Sequence, residues 1–110
     1  MGRYRIQDQQ GLNFITCTVV GWIDIFSRQH YRDIILQSLT FCRKEKGLLL
    51  FAFVLMSNHI HLVLQTATNS TYTLSEILRD FKKYTANKIL KAIMNEPESR
   101  RDWLLHMFEF

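Results

Sequence analysis

At 110 residues the chain has room for one hydrophobic core and not two, so a single domain over residues 1–110 is expected. With 47% hydrophobic and 22% charged residues, a disordered polypeptide is excluded. Lys and Arg outnumber Asp and Glu 14 to 10, a net +4 that permits a polyanionic partner without requiring one.

The N-terminus, MGRYRIQDQQG, has no apolar core of a signal peptide, and no apolar run reaches the roughly 18 residues of a membrane span. Cys17 and Cys42 lie inside apparent secondary elements without CxxC spacing, so buried reduced thiols and a cytoplasmic location are the default expectation. Leu12 to Val20 alternates and is rich in β-branched residues, which predicts a strand ended by Gly21. From His30 to Lys46 the period changes: Tyr31, Ile34, Ile35, Ser38, Leu39 and Cys42 form one helical stripe, and Gly47 follows as a stop signal.

Leu48 to Gln65 is a long β-type stretch interrupted by MSN, which predicts a hairpin with arms near Leu49–Leu55 and His59–Gln65. Thr73 and Glu76 form a capping box, behind which Leu74, Ile77, Leu78, Phe81, Tyr84 and Ile89 carry an apolar stripe to about Met94. Pro97 suits the first turn of a last helix, with Trp103, Leu104, Met107 and Phe108 on one face. The resulting order is an α+β fold of ferredoxin-like type, β-α-β-β-α, with helices packed on an antiparallel sheet. Its usual last strand is expected beyond Phe110 or from another chain.

On the second hairpin arm His59, His61 and Val63 point one way and Ile60, Leu62 and Leu64 the other. Two imidazoles about 7 Å apart at the backbone can converge on one cation, although an isolated H-x-H more often packs or hydrogen-bonds than binds metal.

The flanks are more specific. FAFVLMSNHIHLVLQ followed by LSEILRDFKKYTANKIL resembles the single-tyrosine transposases of the insertion-sequence 200 type, and most closely their relatives associated with repetitive extragenic palindromes. The matching residues are His59, Ile60 and His61, then Phe81, Lys82, Tyr84 and Thr85; FITCTVVGWIDIF is similar to the family's first strand and turn. The resemblance implies cleavage and rejoining of single-stranded DNA near hairpins, with Tyr84 as nucleophile forming a 5′-phosphotyrosine link. It also implies a divalent metal, Mg²⁺ or Mn²⁺, held by His59 and His61, and either a monomer or a homodimer that shares its tyrosine helices.

Two imidazoles leave most of a metal's shell empty. Asn87, three residues after Tyr84, is a candidate third ligand, whereas Lys88 stands where relatives carry an amide or carboxylate. Ser57 replaces the family's proline, and Asn58 is expected to serve the turn. Asp80 is an orienting candidate or a solvated carboxylate. Lys82, Lys83, Lys88 and Lys91 either line a groove for a DNA backbone or solvate the outer face of a helix. His30 and His106 lack ligand-spaced neighbours. The alternative function is a non-catalytic nucleic-acid-binding domain derived from a transposase; a third reading is an interaction module whose histidines only pack.

Overall fold

The structure is a computed structural model and describes residues 6, 8–19, 24–95 and 97–107. Alternation in β1 (Asn13–Thr18) buries Asn13, Ile15 and Cys17 and exposes Phe14 and Thr16. A short 3-10 turn, Ile25–Ser27, leads into α1 (Gln29–Glu45), then β2 (Leu48–Leu55), β3 (His59–Thr66), α2 (Leu74–Asn95) and α3 (Arg101–Met107). The three strands form one sheet in the order β1-β3-β2, antiparallel throughout. This is the expected α+β arrangement, with β3 splitting the β1-α1-β2 unit. The proposed strand end at Val20 and Gly21 and the place of Phe108 lie outside the described residues.

The helices cover one face of the sheet. All six residues of the α1 stripe, Tyr31 to Cys42, are buried, and they share a core with Ile60, Leu62 and Leu64 of β3 and Leu74, Ile77, Leu78 and Phe81 of α2. After α1, Gly47 adopts φ 74°, a left-handed conformation that suits glycine, while the Lys46 N–H donates to the Cys42 carbonyl at 3.0 Å. Both halves of the α2 capping box form: Glu76 N–H donates to Thr73 Oγ1 at 3.2 Å, and Thr73 N–H donates to Glu76 Oε1 at 2.9 Å.

Two expectations are corrected. Tyr84 does not belong to the buried stripe of α2: it is 46% exposed, and Thr85 takes the inward position, donating to Ser38 Oγ at 3.2 Å in a buried contact between α2 and α1. The last helix starts at Arg101 rather than near Pro97, because Glu98 is drawn into a cluster. Its carboxylate accepts from the Tyr31 hydroxyl at 2.6 Å and the Arg100 backbone N–H at 2.9 Å, beside the guanidinium groups of Arg28 and Arg100. Arg101 then donates to the carbonyl of Ile93 at 2.7 Å, tying α3 to the end of α2. Leu104 is buried in the chain's own core while Trp103 is 49% exposed. No helix among the described residues is long and apolar enough to cross a membrane.

Candidate metal centre and nucleophile

The core fixes which way the histidines point. Ile60, Leu62 and Leu64 are fully buried under the helices, so His59 and His61 must project from the opposite face. A one-residue slip of β3 would reverse this and expose all three aliphatic side chains, at roughly 1.5–3 kcal/mol each. Register places Thr18 opposite His59, and Thr16 and Val54 on either side of His61. Ser57 and Asn58 make the hairpin loop, and their carbonyls accept from Phe26 N–H at 2.8 Å and Val19 N–H at 2.9 Å, which anchors the start of β3.

The two rings meet edge to face, centroids 4.7 Å apart, with Nε2 of His59 and Nε2 of His61 separated by 3.1 Å. Each remaining ring nitrogen is held by an oxygen: His59 Nδ1 lies 2.7 Å from Asn58 Oδ1, and His61 Nδ1 lies 2.9 Å from Thr16 Oγ1. An amide oxygen only accepts, so His59 carries its proton on Nδ1 and leaves a lone pair on Nε2. The Thr16 hydroxyl can donate or accept; where it accepts from His61 Nδ1, the His61 Nε2 is freed in the same way. Neighbouring ligands on one octahedral or tetrahedral cation stand roughly 3.0–3.4 Å apart at usual bond lengths, so the donor set fits a cation. Asn58 and Thr16 are thus orienting partners of the kind that fix a ligating imidazole. Neither was assigned a role at the site from sequence: Asn58 reads as a turn residue, and Thr16 reaches His61 only through strand register.

The structure does not bring Tyr84 to this pair. Tyr84 lies on α2, on the other side of the sheet, with its ring near-parallel to Phe41 of α1 at 6.4 Å and the Lys88 ammonium 5.7 Å from its ring centre. Asn87 is exposed on the same helix and likewise lies on the helical side of the sheet. Among the described residues, no group of three or more His, Cys, Asp or Glu stands together as a metal cluster.

The site is a pair of convergent, oriented imidazoles on an open sheet face, preceded by a tight turn and followed by a long basic helix. Compared with known protein families, residues 23–108 match the family described as "Transposase IS200 like". The chain belongs to that family. Membership makes it a transposase-family protein, and the partner of such an enzyme is DNA. No curated protein and no solved structure matches.

For a transposase the distribution of charge matters. Lys88 and Lys91, four and seven residues after Tyr84, share its flank of α2; Lys83 points outward; Lys82, half-buried, faces the β1 side. These four lysines therefore do not form one groove around Tyr84. Asp80 is occupied by Lys46 at 3.0 Å and Arg79 at 3.3 Å, an ion-pair role rather than one at the histidines. Tyr31 is unsuited to attack, since burial and donation to Glu98 push its hydroxyl pKa up. Burial also raises both thiols, Cys42 to about 11, in keeping with free and unreactive cysteines.

Proposed function

We propose that this protein cleaves and rejoins single-stranded DNA beside hairpins in the cytoplasm, with His59 and His61 holding Mg²⁺ or Mn²⁺ and Tyr84 as nucleophile. The observation that carries the reading is the 3.1 Å approach of two Nε2 atoms whose opposite nitrogens are both tied to oxygens. A cation held there would offset negative charge developing on the scissile phosphate. The open sheet face, with Phe14 76% exposed beside β3, leaves room for a strand to lie across the histidines.

In the cleavage step the Tyr84 oxygen bonds to phosphorus and the P–O3′ bond breaks. The phenol proton passes to solvent and the leaving 3′ oxygen takes one up. Phenols are weak nucleophiles at neutral pH, and attack by one depends on positioning. Among the described tyrosines Tyr84 is the most accessible. Because it sits across the sheet from its own histidines, the reading requires α2 of one copy to serve the pair of another, and so a homodimer. Asn87 would arrive on the same helix as a third ligand, through its amide oxygen, with Lys88 near the phosphate. Within the family, the relatives associated with repetitive extragenic palindromes are the group favoured by the sequence around His59 and Tyr84.

A denaturing gel with labelled single-stranded hairpin DNAs tests this. A denaturation-resistant protein–DNA band that needs divalent metal and is lost in Tyr84→Phe and in His61→Ala is expected. Salt-sensitive binding with no adduct under any metal would instead indicate a DNA-binding domain without the chemistry.

A further inference from the structure

An open groove of about 370 Å³ lies on the helical side of the sheet, between the last turns of α1 and the edge strand β2, away from the histidines. Arg43 and Lys44 line it from α1; Leu48, Leu50 and Phe51 line it from β2. Its volume lies within the range of about 300–1,000 Å³ that small-ligand sites occupy. Among the described residues, neither Arg43 nor Lys44 has a carboxylate partner, unlike Lys46 and Arg79 nearby. Phe51 is 60% exposed and is the extra residue of a β-bulge: Leu50 pairs with Leu64 and Ala52 with Val63, so Phe51 has no partner on β3. A bulge at a sheet edge re-aims a side chain, and here it sets an aromatic ring beside the cations of Arg43 and Lys44.

We propose that this groove is a second single-stranded DNA subsite, with one base stacked on Phe51 and the adjoining phosphates held by Arg43 and Lys44. The inference rests on the DNA reading above and extends it to a region that neither the histidines nor Tyr84 occupies. Phe51 lies three residues along β2 from Val54, the neighbour of His61, or about 10 Å. A strand with one phosphate at the histidines therefore reaches the groove within a few nucleotides by crossing the β2 edge. A polyanion also fits better than a second copy of the chain. Packing of two copies about a two-fold axis on this groove would bring Arg43 and Lys44 close to their own counterparts, opposing like charges.

The test is fluorescence anisotropy with labelled single-stranded oligodeoxythymidine at several salt concentrations, plus ultraviolet cross-linking of the same oligomer carrying 5-iodouracil. Phe51→Ala is expected to bind roughly 5- to 100-fold more weakly. Arg43→Gln with Lys44→Gln is expected to flatten the salt slope by about 1.4, the contribution of two single-strand phosphate contacts. The wild-type cross-link should map to Phe51. Wild-type affinity and slope in both variants, with the cross-link elsewhere, would overturn the groove assignment while leaving the DNA reading intact. A failure of the wild type to bind single strands would defeat both. A change in mass by light scattering on Phe51→Ala, with DNA affinity unaltered, would give the groove to a second copy and also overturn the proposal.

Discussion

Replacing Asn58 with alanine removes the acceptor 2.7 Å from His59 Nδ1 and leaves the backbone carbonyl of residue 58 free to accept from Val19, so the hairpin is retained. What is lost is the tie that keeps the His59 proton on Nδ1 and the ring turned towards His61. Removal of such an outer partner typically costs 10- to 100-fold in metal affinity, or about 1.4–2.7 kcal/mol. Thr16→Val removes the 2.9 Å partner of His61 and should cost a similar amount. The two rings are in contact through Nε2, so the double variant should depart from additivity. Mn²⁺ binding followed by electron paramagnetic resonance of the free ion gives the affinities directly, without DNA. His61→Ala should abolish binding. Unaltered Mn²⁺ affinity in both Asn58→Ala and Thr16→Val, with binding lost in His61→Ala, would refute the orienting roles.

Glu98→Gln should destabilise the fold by about 1–3 kcal/mol in urea denaturation, since the carboxylate is 1% exposed and holds Tyr31, Arg28 and Arg100 together. Burial alone would raise the Glu98 pKa, but the Tyr31 hydroxyl, the Arg100 N–H and the two guanidinium charges outweigh it and hold the carboxyl below the usual range. The stabilisation is then complete above the unfolded glutamate pKa of about 4.3 and is lost as pH falls through the lower native value. The stability gap between wild type and Glu98→Gln should shrink over that acid window; a constant gap would contradict the assignment. Gly47→Ala should cost about 1–3 kcal/mol by the same assay, because φ is 74° and the new Cβ would stand 2.7 Å from Ser70 Cβ. Ser70 cannot easily yield, as its hydroxyl donates to the Lys46 carbonyl at 2.7 Å.

Local periodicity made most of the architecture legible. The α1 stripe, the Gly47 stop, the Thr73–Glu76 box and the alternation that separates His59 and His61 from Ile60 and Leu62 are all short-range patterns, and each reappears in the structure. The features that sequence did not yield depend on long-range placement. Thr16 meets His61 only because β1 pairs with β3 in a particular register. Tyr84 and Thr85 are adjacent, and the packing of α2 on α1 at Ser38 decided which of them turns inward. The late start of α3 follows from Glu98 being captured by Tyr31, 67 residues earlier in the chain.

The most direct measurement of the central claim mixes two inactive variants, Tyr84→Phe and His61→Ala, one of them mass-tagged, with hairpin DNA and Mn²⁺. The account predicts that each variant alone forms no adduct and that the mixture does, with DNA attached to the His61→Ala chain, whose Tyr84 is intact. An adduct on Tyr84→Phe alone, or none in the mixture under conditions where the wild type reacts, would contradict it.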